Sequence, residues 1–388
     1  MDKNKKTLFG IVAAIAVVCA VVALVVNKGG QKEGDKEVIK IGAILPLTGG
    51  AAATGQFTRE GIELAVEEIN SNPKSKYRIK MIIEDSANDP KTALTAFQKL
   101  VSIDKPSIIV TTFSSPSKAI AEYIKNNPDV NCVLFATAVT TPSEFAKISP
   151  NIFRLNFTPD QEGMFLANYF FSEKDYKTAT IYHSDDDYGR ELDKAVTSAI
   201  EQNSGKIIRR ENFVRSQPDH RLSLTLIKEA NPDICFFLGN DQTTAIAMRQ
   251  AKQLGLTSVF VSSSATLATP SFWPVAGEGA EGAYYVTPAF DGESQDKLSK
   301  QNILKRNFEK KFNTQPSHHA GFTHETMMII ADCLNTIDEI STDNIRGYIL
   351  QLKDYDSALG KLTCLPDGEI NPEIILMKII DQTAHQVK

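Results

Sequence analysis

From Val38 onward, short β-branched or apolar runs alternate with stretches whose apolar residues recur every three or four positions, and this alternation narrows the fold more than any other feature. The first unit reads as a strand over 38–44, a loop of Pro, Gly and Ala, and then a helix carrying Ile62, Ala65, Val66 and Ile69 on one face. Strands follow at 78–84, 107–112 and 132–135, separated by helices that begin at Asp89-Pro90 and near Ser117; Asp suits the N-cap and Pro the first turn. An extended segment at 151–159 ends this series, and the pattern then starts again with a helix over 161–172 and strands at 178–182, 206–213, 234–238 and 258–262. The expected class is α/β, with two doubly wound parallel-sheet lobes and functional loops at the carboxyl ends of the strands. Long helical patterns at 295–313 and 317–337, a shorter one at 343–353 and a strand at 374–380 complete the chain.

The 388 residues exceed a comfortable single core, and 42% apolar residues suffice to fill two. A net charge of −5 gives no basic footprint for nucleic acid. Residues 8–26 form an uncharged apolar run of bilayer-spanning length, preceded by Lys3, Lys5 and Lys6, which places the body outside the cytoplasm. The run reads as a retained anchor, a cleaved signal or a segment lipidated at Cys19, and the body is exported in each case. Cys132 and Cys235 lie in apolar strand-like runs and read as buried thiols; Cys333 with Cys364 is the one candidate disulfide pair.

Several motifs fail on context. Gly50 and Gly55 have phosphate-loop spacing, but Gln56 and Phe57 stand where Lys and Ser or Thr are needed, so nucleotide hydrolysis is excluded and a carboxylate is the better anion. Gly277 to Gly282 matches a dinucleotide-loop pattern but precedes an extended run and reads as a turn. Ser115 and Lys118 have the spacing of serine acylating enzymes, without the companion elements. Asp185-Asp186-Asp187 reads as a solvated loop and helix cap, and His318, His319, His324 and Glu325 as helix-edge residues. What remains are hydroxyl-rich loops at strand ends, at 113–116, 136–142, 239–241 and 262–264, with no nucleophile–base pair. Such a set describes binding, with no catalytic residues.

IGAILPLTGGAAATGQFTREGIELAVEEIN, EDSANDPKTALTAFQKLV, ATAVTTPSEF, the Tyr188-Gly189 loop and AMRQAKQLGL, in that order, resemble the periplasmic leucine/isoleucine/valine-binding protein family, solute receptors of ABC importers with the type I periplasmic-binding fold. The resemblance implies two α/β lobes joined by a three-segment hinge, expected at 155–159, 286–288 and 360–363. The chain then divides into an anchor or signal segment with linker (1–37), lobe 1 (38–155 with 288–358) and lobe 2 (156–287 with 359–388). It implies that a ligand carboxylate meets Ser114, with Ser115 adjacent, and the loop holding Ala138 and Thr140, while the second lobe offers Tyr188 and Asn240. The family's ammonium-binding acid falls at Ser264, which has no charge, and its first-loop aromatic at Thr54; Asp241 is the candidate replacement acid. The positions of the family's disulfide hold Asn88 and Phe113. The implied function is extracytoplasmic solute binding for an ABC permease, with an amino acid or related small carboxylate as ligand, no cofactor or metal, and a monomeric protein. The alternative is a ligand-sensing ectodomain that signals through a partner membrane protein.

Overall fold

A computed structural model of the chain describes residues 36–138, 144–292 and 296–387. The apolar run 8–26 and Thr140 lie outside these residues. Among the described residues no helix is long and apolar enough to cross a membrane.

The first lobe is built on a six-stranded sheet of order β13-β5-β4-β3-β1-β2, all parallel: β1 (Val38–Leu45), β2 (Arg78–Asp85), β3 (Ile108–Thr111), β4 (Val133–Thr137), β5 (Ile152–Leu155) and β13 (Glu369–Ile370). Its crossovers include α1 (Ala52–Ser71), α2 (Pro90–Lys99) and α3 (Ser114–Asn126). As the sequence predicts, Asp89 caps α2 by accepting from Thr92 N–H at 2.8 Å, with Pro90 in the first turn. The apolar face of α1, including Ile62, Ala65 and Ile69, packs with Ile41, Ala43 and Leu45 of β1 in one core cluster.

The chain then crosses to a second sheet of order β15-β14-β10-β9-β8-β6-β7. Here α4 (Pro159–Ala167), β6 (Thr178–Ser184), α5 (Asp187–Gln202), β7 (Lys206–Phe213), α6 (Arg221–Ala230), β8 (Ile234–Leu238), α7 (Gln242–Gln253), β9 (Val259–Ser262) and β10 (Tyr284–Pro288) repeat the parallel pattern. The chain returns through α8 (Lys300–Phe312), α9 (His318–Thr336) and α10 (Thr342–Leu350) to cover the first sheet, with Phe322, Ile329 and Ile345 in that lobe's core. The sequence predicts a parallel second sheet; its far edge instead runs antiparallel through β14 (Ile374–Ile380) and β15 (Thr383–Gln386). A two-residue turn joins them, and Asp381 and Gln382 both take positive φ (51° and 55°), the geometry whose twist matches a hairpin.

The first two crossings fall where the sequence places them, after β5 and after β10. The third does not. Residues near 360–363 belong to a small hairpin, β11 (Tyr355–Ser357) with β12 (Gly360–Leu362), whose Leu359 and Leu362 are buried in the first lobe's core. The chain then adds β13 to the first sheet before β14 joins the second, so the crossing lies at 371–373. The lobes are therefore 38–155 with 289–370 and 156–288 with 371–387. The three crossings lie side by side: Asn156 N–H donates to Ile370 O at 3.2 Å, and Ala289 N–H to Glu373 O at 2.8 Å.

Two further expectations change. Cys333 and Cys364 do not pair; like Cys132 and Cys235 they are buried free thiols, and burial pushes each up to about 12. The histidines of α9 are not at a helix edge, since His318, His319 and His324 are all buried. Burial alone would lower His324, but hydrogen bonds to Glu325 and Glu68, each 3.0 Å, hold it up at about 9. His318 is tied through Nδ1 to Asp291 at 2.8 Å and to Thr287 at 2.9 Å, beside the second crossing.

Candidate functional site

The carboxyl ends of the two sheets face each other, and the loops at those ends touch. The β1–α1 loop is held by Asp85 at the end of β2, which accepts from Leu47 N–H at 2.8 Å and from the Thr48 hydroxyl at 2.6 Å. That fixes the start of α1 against the second lobe: Gln242 N–H donates to Gly50 O at 3.4 Å, and the hydroxyls of Thr54 and Thr269 lie 3.0 Å apart. Ala51 and Phe113 of the first lobe belong to the same apolar cluster as Tyr188, Leu238 and Ala265 of the second. Asp187 N–H donates to Ser115 Oγ at 3.4 Å, and its carboxylate pairs with Lys118 at 3.0 Å. Arg215 binds Asp186 at 3.0 Å and also the carbonyl of Asn88, linking the lobes at the cleft rim. The lobes are closed on one another.

On the first-lobe wall, Ser114 is fully buried at the start of α3, not in the loop before it as expected. Phe113, just before it, has φ 68°, and Ala138, which follows β4, has φ 48°. Neither residue adopts such a backbone without cost, and strain of this kind is held where surrounding packing over-determines it. Ala138 is fully buried beside the loop that carries Thr140 in sequence.

On the second-lobe wall, the predicted residues divide into those the protein uses internally and those it leaves open. Asp241 caps α7, accepting from Thr243 N–H at 2.9 Å, and its carboxylate stands against Gly50. Burial raises its pKa, with hydrogen bonds from Thr243 opposing. Its carboxyl is thus engaged in capping. The hydroxyls of Ser262 and Ser263 are spent on the carbonyls of Phe237 and Gly239. Asn240 differs: it is 1% exposed, and neither its amide nitrogen nor its oxygen has a partner. Tyr188 differs in the same way. It is buried beside Ser263 and Ser264, its hydroxyl closes no hydrogen bond, and burial, then the nearby Glu162 carboxyl, holds its pKa well above the usual range.

Tyr188 is aimed by a tight junction. Asp186 caps α5 by accepting from Gly189 N–H at 2.9 Å, and a Cβ on Gly189 would stand 2.1 Å from Ser184 O. Of the aspartates at 185–187, Asp186 is the expected helix cap, but the segment is not a solvated loop: Asp186 is buried and paired with Arg215, and Asp185 holds Arg190 at 2.7 Å. Gly189→Ala is expected to cost about 1–3 kcal/mol by forcing the junction apart, read as a lower midpoint in urea unfolding.

One residue was missed by sequence reasoning. Glu162, in the first turn of α4, is 2% exposed; one carboxyl oxygen has no partner, while the backbone of Ser264 donates to the carboxyl. Burial raises it to about 8. Glu162 thus sets a carboxyl, from another element, alongside position 264, where the sequence has no acid. Ser115 and Lys118 both meet Asp187 across the cleft, and the lysine, held as an ammonium in that ion pair, is not a base for the hydroxyl.

The sequence of residues 38–384 matches the family model described as Periplasmic binding protein. The chain belongs to the periplasmic binding protein family. This is a family of solute-binding proteins, not enzymes. An amino acid binding protein of Pseudomonas aeruginosa is 26% identical over 225 residues, 58% of this chain and 60% of that relative, less than two thirds of its length. The Leu/Ile/Val-binding protein of Escherichia coli K12 is 22% identical over 335 residues, 86% of this chain and 88% of the relative. In fold, this periplasmic binding protein is similar to a leucine binding protein from Thermotoga maritima, with TM-score 0.82 at 20% identity over 90% of this chain and 98% of the other. A Streptococcus pneumoniae substrate binding protein in complex with isoleucine gives TM-score 0.80 at 21% identity, covering 91% and 100%. The fold expectation and the family resemblance both hold.

Proposed function

We propose that the chain is the extracytoplasmic receptor of an ABC importer and traps an amino acid or related small carboxylate between its lobes for delivery to a permease. The observation that carries this reading is the set of buried polar atoms left without partners, on Tyr188, Asn240 and Glu162, on the wall that meets Ser114 and Phe113 of the first lobe. Buried polar groups of a native protein are normally satisfied, and a cluster that is not asks for a ligand. In this reading Ser114, with the loop of Ala138 and Thr140, receives the carboxylate, and Ser115 and Thr54 serve closure. Tyr188, Asn240 and Ser264 complete the wall, and residues 8–26 tether or export a monomeric body. The protein from the Pseudomonas relative is named for amino acids and the Streptococcus neighbour holds isoleucine, which supports the ligand class.

A thermal-shift screen of the twenty amino acids, short carboxylates and benzoate tests it. A ligand at 100 times its Kd is expected to add roughly 2.7 kcal/mol to stability. Ser114→Ala and Asn240→Ala should each weaken that ligand by about tenfold, one lost hydrogen bond to a charged or buried group. A panel without any stabilising compound would refute the proposal.

A further inference from the structure

Glu162 does nothing that its own helix needs. The N-terminus of α4 is already served by a capping box: Thr158 Oγ1 accepts from Gln161 N–H at 3.1 Å, and Gln161 Oε1 accepts from Thr158 N–H at 2.8 Å. An acidic residue in a first turn ordinarily stays in water, where it complements the helix dipole at little cost. Here the side chain is turned inward and covered, with no lysine, arginine or histidine paired to it among the described residues. Its place is fixed from behind, because a Cβ on Gly163 would lie 3.0 Å from the backbone of Ala195 and Val196 in α5. The carboxyl thus stands beside Tyr188 and the backbone of Ser264, with one oxygen unpartnered, on the wall that carries the open amide of Asn240. A buried acid with one oxygen open and no counter-charge is costly, and a cationic ligand group is what would satisfy it.

We propose that Glu162 is the second lobe's partner for a ligand ammonium, which makes the solute an amino acid and rejects carboxylates that lack the amine. Glu162 accepts from the ammonium through its open oxygen, the Tyr188 hydroxyl accepts a second ammonium hydrogen, and the carboxylate end lies toward Ser114. Asp241, the acid suggested by sequence position, is committed to capping α7 and does not share this role. The inference rests on the reading of the cleft as a small-carboxylate site, and specificity is what it adds.

Calorimetric titration of wild type, Glu162→Gln and Ser114→Ala separates the two. Each amino acid found to bind is paired with its 2-hydroxy acid, which keeps the carboxylate and side chain but loses the charge, and benzoate serves as an amine-free control. Wild type is expected to prefer the amino acid by about 100-fold, the scale set by a buried charge-assisted pair. Glu162→Gln should lower amino-acid affinity by a similar factor and leave the 2-hydroxy acid nearly unchanged, so that the preference collapses; Ser114→Ala should weaken both. An amino acid bound with its preference intact in Glu162→Gln overturns the inference, as does wild type binding only amine-free carboxylates, and in both cases the small-carboxylate reading survives. Binding of no compound by wild type overturns both. Should the variant fail to fold, wild type still decides: amino-acid binding that expels a proton near pH 7, read from titrations in buffers of different ionisation heat, supports the inference, and binding without proton exchange overturns it.

Discussion

Replacing Glu369 with leucine is expected to remove about 3–5 kcal/mol of stability, because it takes from the buried Arg154 guanidinium the carboxylate it is paired with. Arg154 is 0% and Glu369 4% exposed in their side chains, and Arg154 Nε donates to Glu369 Oε2 at 2.5 Å. The other carboxyl oxygen accepts from Ala146 N–H at 3.3 Å. Burial pushes Glu369 up, and Arg154 pulls it back. Such a pair gains little over a well-packed apolar pair; its strength shows when one member is removed and the other charge stays in low dielectric. The double variant Arg154→Met with Glu369→Leu should therefore recover most of the loss, as a positive coupling in a double-mutant cycle measured by urea unfolding. Single variants that each lose under 1 kcal/mol would contradict the argument. The position of the pair also bears on movement. Arg154 lies one residue before the end of β5 and Glu369 opens β13, so the first and third crossings leave the first lobe from one clamped point. His318, held by Asp291 and Thr287, does the same for the second. Dihedral change on opening is left to the few residues between the sheets.

How much of this was legible in the sequence follows from what each signal depends on. Strand–helix alternation is local, and it located nearly every strand of both sheets. The third crossing was misplaced because β13 is a strand of two residues, too short to carry a period, while the hairpin before it has the Gly and Thr that usually mark a linker. Ser114, Tyr188 and Asn240 are named by the family resemblance; the strained backbone at Phe113 and Ala138 leaves no trace in residue type. The histidines of α9 look like surface residues until Glu68 of α1 is seen packed against His324. Glu162 was missed for the same reason in reverse. An acid in the first turn of a helix is ordinary, and only the covering by Tyr188 and Ser264, distant in sequence, makes it exceptional.

That covering predicts a second large effect, on stability against pH. Burial raises Glu162 from 4.5 to about 8, with only the Ser264 backbone opposing. Its facing titratable neighbour on α5 is Tyr188, which stays protonated well beyond this range, and the turn at Ser263 and Ser264 offers hydroxyls only. A group with a folded pKa above its unfolded one leaves stability intact below the unfolded value and lowers it as pH rises toward the folded value. The loss therefore develops between pH 4.5 and about 8 and is bounded at about 5 kcal/mol. Glu162→Gln carries no charge at any pH and should lack this slope. In urea unfolding without ligand, the variant is expected to match wild type near pH 5 and exceed it by a few kcal/mol at pH 8.5. Parallel pH profiles would mean that the carboxyl reaches water after all. An amino acid whose ammonium meets Glu162 must find it ionised, so binding expels a proton. Affinity should then climb up to tenfold per pH unit from pH 6 toward 8 in wild type, while Glu162→Gln stays flat. The acid that weakens the free protein near neutral pH is thus the one whose ionisation the ligand restores, and both slopes vanish with the same substitution.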